Sequence, residues 1–120
     1  MNKKIDLIIL GGSGLVGSAI ILKFLSKGKI VLNLDIINKI NKKNNYIFKK
    51  FDMTSHGLSK NLNKIFKEFG CPNFYIDCSY INKKYFKNSD IESINKNHLD
   101  NILKNWLSSS TIISSRILNL

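Results

Sequence analysis

Gly11, Gly14 and Gly17 recur at a spacing of three directly after the apolar run Ile8-Ile9-Leu10, and Gly12, Gly14 and Gly17 also satisfy G-x-G-x-x-G. The chemistry open to such a run is the holding of phosphates. Glycine is wanted there for separate reasons: a tight strand-to-helix turn, bare backbone against a pyrophosphate, and close packing of helix on strand. The phosphates then meet free N–H groups at a helix N-terminus, where the dipole favours negative charge. Gly11, Gly12, Ser13 and Gly14 form the expected cradle, with Leu15 and Val16 opening the helix beside it.

Other residues supply partners for the rest of such a ligand. Asp35, with Ile36 next to it, lies about twenty residues beyond the glycine turn, where an acid accepts hydrogen bonds from a ribose diol. A carboxylate there repels a 2′-phosphate and so favours NAD over NADP. The competing reading is a strand-end aspartate that caps a turn. Asp52 can accept from an adenine amino group while Met53 packs on the ring; an Asx-turn explains Asp52 comparably well. Cys78, Ser79 and Tyr80 end a further strand at the same edge, and their backbone is placed to line the ribose.

These residues need a scaffold of alternating strands and helices. Lys4 to Leu10 reads as a buried parallel strand, because its apolar run is continuous rather than alternating. A helix starts at Ser13 or Gly14 and stops at Gly28. Lys29 to Asp35 is the second strand, Ile36 to Asn45 a polar connection, and Tyr46 to Phe51 the third strand. Apolar residues at helical spacing predict an amphipathic helix from Leu58 to Phe69, closed by Gly70. Asn73 to Ser79 is the fourth strand and Tyr80 to Ser89 a polar loop. A largely helical segment runs from Asp90 to Leu120, with Leu99, Ile102, Leu103, Trp106 and Leu107 on one face. Its stripe suits core contact or a partner subunit equally, and its serines would permit close helix packing. The alternation implies an α/β fold with a parallel sheet and right-handed crossovers, in one domain spanning residues 1–120.

Composition excludes some classes of function. The net charge of +11 would suit nucleic acid. Yet Arg116 is the only arginine and Ala19 the only alanine, a skew that an AT-rich genome imposes on any protein. The lysines are scattered rather than gathered with aromatics, so no nucleic-acid partner is expected. Cys71 and Cys78 form no metal pattern with each other or with His56 and His98, so no metal site is expected and the setting reads as reduced and cytoplasmic. The uncharged stretch from Leu7 to Leu22 superficially resembles a signal peptide or membrane span. Asp6, the glycines within the stretch and the lack of a clear cleavage site favour a buried strand and helix instead.

The segment Leu10-Gly11-Gly12-Ser13-Gly14-Leu15-Val16-Gly17-Ser18-Ala19 resembles the nucleotide-binding start of short-chain dehydrogenases/reductases, in the form carried by sugar-nucleotide epimerases and dehydratases. Asp35, Asp52-Met53-Thr54 and the Phe69-Gly70 turn follow that family's order and spacing. The later part is similar to compact bacterial members linked to surface-polysaccharide or flagellin-sugar synthesis. Leu10 replaces the threonine usual before the first glycine, and Ile76-Asp77-Cys78-Ser79 stands where Asn-Asn-Ala-Gly is common. The resemblance implies a Rossmann-type three-layer sandwich, apparently truncated after the fourth strand and its following helix. The family's catalytic Ser and Tyr-x-x-x-Lys, which follow a fifth strand, have no matching position, so no catalytic residue is assigned. Tyr46/Lys50 falls on a strand and Tyr80/Lys84 in a loop, both unsuited to that role.

The expected function is therefore the NAD-binding part of an oxidoreductase that moves a hydride between nicotinamide and a sugar or alcohol carbon. Its expected partners are a dinucleotide, a sugar substrate, and either a second copy or a separately encoded C-terminal half, without membrane or nucleic acid. A non-catalytic dinucleotide-binding module or a truncated gene product is the alternative.

Overall fold

The computed structural model describes residues 4–42, 44–79 and 95–119. The continuous apolar runs become strands β1 (Leu7–Leu10), β2 (Val31–Asp35), β3 (Tyr46–Lys50) and β4 (Phe74–Asp77), each a little shorter than its sequence pattern predicts. All pair in parallel in the order β3-β2-β1-β4, so after β3 the chain crosses back over the sheet to place β4 beside β1. Central β1 is buried along its whole length, as a parallel strand covered on both faces must be.

The two faces separate cleanly. Leu7, Ile9 and Val31 meet helix α1 (Leu15–Ser26) through Ile21, with Phe24 and Leu25 at the margin. Ile8, Leu10, Leu32 and Leu34 meet Leu58, Leu62 and Ile65 of helix α2 (Leu58–Phe69), together with Ile113. Side chains alternate across a strand, so neighbours in β1 serve opposite layers. Helix, sheet and helix make the three-layer Rossmann-type sandwich that the resemblance implies.

The C-terminal segment is helical, as expected, over residues 96–118. It comprises α3 (Lys96–Ile102), a π-helical stretch (Leu103–Leu107) and α4 (Ser108–Leu118). Leu99, Leu103 and Leu107, expected on one apolar face, are exposed, and the core contact is made by Ile113 with Ile117 beside it. A π turn uses more residues than an α turn and so changes which face follows it. Simple helical spacing cannot anticipate that shift. Trp106 instead donates its indole N–H to Ser79 Oγ at 3.2 Å. The unusual Asp77 ties the same region together. Its carboxylate accepts from Ser79 N–H at 2.8 Å and from the Ser110 hydroxyl of α4.

Candidate functional site: a cleft at the carboxyl edge of the sheet

The chain turns from β1 into α1 through Gly11, whose φ of +72° is strained for any side chain. A Cβ there would also lie 2.8 Å from Cys78 O and Ser79 Cα, so the turn and the end of β4 lie backbone to backbone. Gly17 is required for a different reason. Its Cβ would lie 2.7 Å from Gly11 O and Gly12 Cα, which brings α1 hard against the turn. At Gly14 the nearest atom is Gly11 O at 3.6 Å, an ordinary contact. The fold itself therefore leaves room for a Cβ at position 14.

Most amides of the turn are already used. Gly11 N–H donates to Leu34 O at 2.8 Å, Gly12 N–H to Asn33 Oδ1 at 3.0 Å, and Ser13 N–H to Asp35 Oδ2 at 2.8 Å. Gly14 N–H makes a long bond of 3.4 Å to Gly11 O. The N–H groups of Leu15 and Val16 have no acceptor among the described residues, and these two residues are 92% and 64% exposed. Gly14, the N-cap, supplies no capping side chain, and the first turn of α1 carries no acid. The anion-attracting end of this helix is thus open.

Asp35 forms the opposite wall. Its Oδ1 accepts from Ile36 N–H at 2.7 Å while Oδ2 holds Ser13, so the carboxylate is fixed against the glycine turn. A carboxylate has about four lone-pair positions, so two remain for a ribose diol. Between these walls lies a cleft of about 200 Å³ lined by Gly11, Ser13, Gly14, Asp35, Ile36, Ile37, Lys39 and Cys78. Of the sequence-derived set, Gly11, Ser13, Gly14, Asp35, Ile36 and Cys78 meet there. Burial, and then the Asp77 charge, push the Cys78 thiol up, so it is a neutral wall rather than a thiolate nucleophile.

The remaining members of the set are placed nearby or elsewhere. Gly12 lies under the turn against Asn33. Leu15 and Val16 stand at the helix mouth, and Ser79 packs against Gly11. Asp52 Oδ1 accepts from Thr54 N–H at 2.9 Å and from the Thr54 hydroxyl at 2.6 Å, forming a turn at the end of β3. Met53 packs against the α2-side core. Tyr80 lies outside the described residues, as does the Tyr80/Lys84 string. Tyr46 is buried with its hydroxyl committed to Asn33 and Asn38, which removes it as a proton donor to substrate.

The sequence reading missed Asn33, Asn38, Ile37 and Lys39. Asn33 had a visible signal, being the one polar residue inside the strand Val31-Leu32-Asn33-Leu34. Ile37 and Lys39 lie in a connection without periodicity, so only the folded chain brings them to the cleft. Among the described residues no His/Cys/Asp/Glu cluster is suited to a metal, and no helix is long and apolar enough to cross a membrane.

A parallel sheet with an open helix N-terminus and an acid beside a glycine turn forms a cleft at the carboxyl edge of the strands, where open α/β sheets take their ligands. The fold is that of the N-terminal half of short-chain dehydrogenases/reductases. A short-chain dehydrogenase from Leptospira borgpetersenii with bound NAD+ is similar at a TM-score of 0.79 and 19% identity, over 98% of this chain and 46% of that one. Thermoplasma acidophilum aldohexose dehydrogenase is similar at 0.68 and 21%, with the same coverage of 98% and 46%. A short-chain dehydrogenase family protein from Francisella tularensis matches at 0.74 and 23%, again over 98% and 46%. The chain thus spans about half the length of these proteins. No protein-family model and no curated protein sequence matches it.

Proposed function

We propose that this chain is the NAD-holding part of a short-chain dehydrogenase/reductase-like oxidoreductase. The observation that carries this is the Asp35 carboxylate, held 2.8 Å from Ser13 N–H at the wall of a cleft beside the free end of α1. In this reading the amides of Leu15 and Val16, with bare backbone at Gly14, receive the pyrophosphate. Asp35 takes the adenosine ribose, Asp52 and Met53 flank the adenine, and Cys78 and Ser79 border the ribose on the far side. When bound, the nicotinamide supplies the hydride chemistry; the described residues supply binding and orientation. A sugar or sugar-nucleotide substrate, used in surface-polysaccharide or flagellin-sugar synthesis, is the proposed class. The similarity to an aldohexose dehydrogenase supports a sugar.

A second reading, a dinucleotide-binding module without its own catalysis, is favoured by the committed hydroxyl of Tyr46 and the neutral thiol of Cys78. Either way the cleft binds first.

Calorimetric titration of NAD and NADP tests the cofactor. NAD is expected to bind more tightly, and Asp35→Ala to weaken NAD by ~1.5–3 kcal/mol, the worth of a hydrogen bond to a charged group. Lys39, at the cleft wall, partly offsets the repulsion of a 2′-phosphate, so Lys39→Ala widens the preference for NAD. Equal affinity of the wild-type protein for both dinucleotides sinks the NAD assignment, and no binding by folded protein sinks the cofactor reading.

A further inference from the structure

A line of polar side chains runs beneath the cleft, in a layer that is otherwise apolar. Asn33 is wholly buried on the α1 face of β2, where continuous hydrophobic sequence is the rule. Its amide orientation is settled by the backbone. Gly12 N–H can only donate, so the Asn33 atom 3.0 Å away is Oδ1, and Nδ2 must face Ser13 Oγ at 3.1 Å and Tyr46 Oη at 3.0 Å. Ile40 N–H settles Asn38 in the same way, with Oδ1 at 3.1 Å. The Tyr46 hydroxyl, 2.8 Å from that oxygen, therefore donates to it. Burial pushes the Tyr46 phenol up, so this proton stays in place at neutral pH.

The consequence falls on Ser13. Its Oγ accepts from Asn33 Nδ2 at 3.1 Å, and Lys39 N–H approaches the same oxygen at 3.4 Å. A hydroxyl has two acceptor positions and one proton. With both positions faced by donors, the proton is what remains, and Ser13 lines the cleft beside Gly14. The same contacts fasten the 36–40 segment, including cleft residues Ile37 and Lys39, to the floor of the glycine turn.

We propose that Asn33 and Tyr46 are positioning residues that hold the Ser13 hydroxyl as a donor into the cleft, aimed at a phosphate oxygen of a nucleoside diphosphate group. This rests on the dinucleotide reading above. The polarity of position 33 thereby has a cause. It satisfies Gly12, engages the Ser13 hydroxyl, and through Tyr46 reaches the facing loop.

The test is calorimetric titration of ADP and of adenosine into wild type, Tyr46→Phe, Ser13→Ala and the double variant. Melting curves confirm that each is folded. Tyr46→Phe keeps the buried ring and deletes one hydroxyl. It is expected to weaken ADP about five- to tenfold, the worth of roughly one hydrogen bond, while adenosine binding stays at the wild-type level. Ser13→Ala is expected to do the same, and the double variant to be no weaker than Ser13→Ala, because Tyr46 acts through Ser13. Equal losses for ADP and adenosine, or losses that multiply in the double variant, overturn the proposal and leave Tyr46 a structural residue. Undiminished ADP binding by Tyr46→Phe overturns it too. Failure of folded wild-type protein to bind either ligand overturns the dinucleotide reading and this proposal together.

Discussion

Glycines that look alike in the sequence do different jobs once the chain is folded. Gly11 answers a backbone angle, Gly17 answers a backbone collision, and Gly14 answers neither. Substitution separates them. Gly17→Ala places a methyl on backbone atoms that cannot move aside and should destabilise the fold by ~1–3 kcal/mol, the usual range for overpacking. Gly14→Ala should leave the melting temperature close to wild type and weaken ADP and NAD binding. Thermal melts and calorimetry on the two variants check this. A large stability loss at Gly14 would show that the protein, not the ligand, demands that glycine. The motif was legible because these constraints act on residue type. Asn33 was overlooked because one polar residue in an apolar strand signals a partner without saying which.

Strand and helix identities follow closely from pattern, and α2 occupies the predicted span from Leu58 to Phe69. Strand ends were less legible, because pairing stops where a neighbour stops. Asp6 illustrates this at the entry to β1. Its carboxylate accepts Ile30 N–H at 2.8 Å and Asn73 Nδ2–H at 3.2 Å, so it pins the starts of β2 and β4 to β1. The Ile30 bond outweighs partial burial and, helped by the charge of Lys29, lowers the Asp6 carboxyl below its ordinary value of 3.8. A lowered folded-state value contributes stability that is complete above the unfolded value and lost as pH falls through the folded one. Asp6→Asn should therefore lower the melting temperature at neutral pH, with the difference shrinking as pH drops below about 4. Melts across that range check the sign; a difference that grows on acidification contradicts it. The C-terminal helix shows the limit of periodicity, since the π stretch hands core contact to Ile113 instead of the predicted stripe.

At the scale of the molecule, β4 is the outer strand of the described sheet, and its far edge has no partner among the described residues. Phe74 on it is 56% exposed and touches Phe24 of α1 edge to face, at 5.9 Å between ring centres. An open edge with an exposed aromatic is a template for strand pairing. Phe74→Lys should shift any self-association of the purified chain toward monomer, as read by sedimentation velocity over a concentration series. Unchanged association would place the contact elsewhere. The solved neighbours are about twice as long, with this chain spanning 46% of each of those compared above.

The sequence by itself determined the parallel α/β class, the glycine turn and the acid at the end of β2. Each depends on residue type and spacing along the chain: buried runs, glycine-only angles, and a carboxylate one crossover away. Only the tertiary structure decided which amides remain free, that Ser13 N–H is bound to Asp35, and that Asn33, Tyr46 and Asn38 form one hydrogen-bonded line under the cleft. Those outcomes depend on distances between residues far apart in the chain. A buried polar group takes whatever partner the fold brings within reach, and periodicity carries no record of that partner.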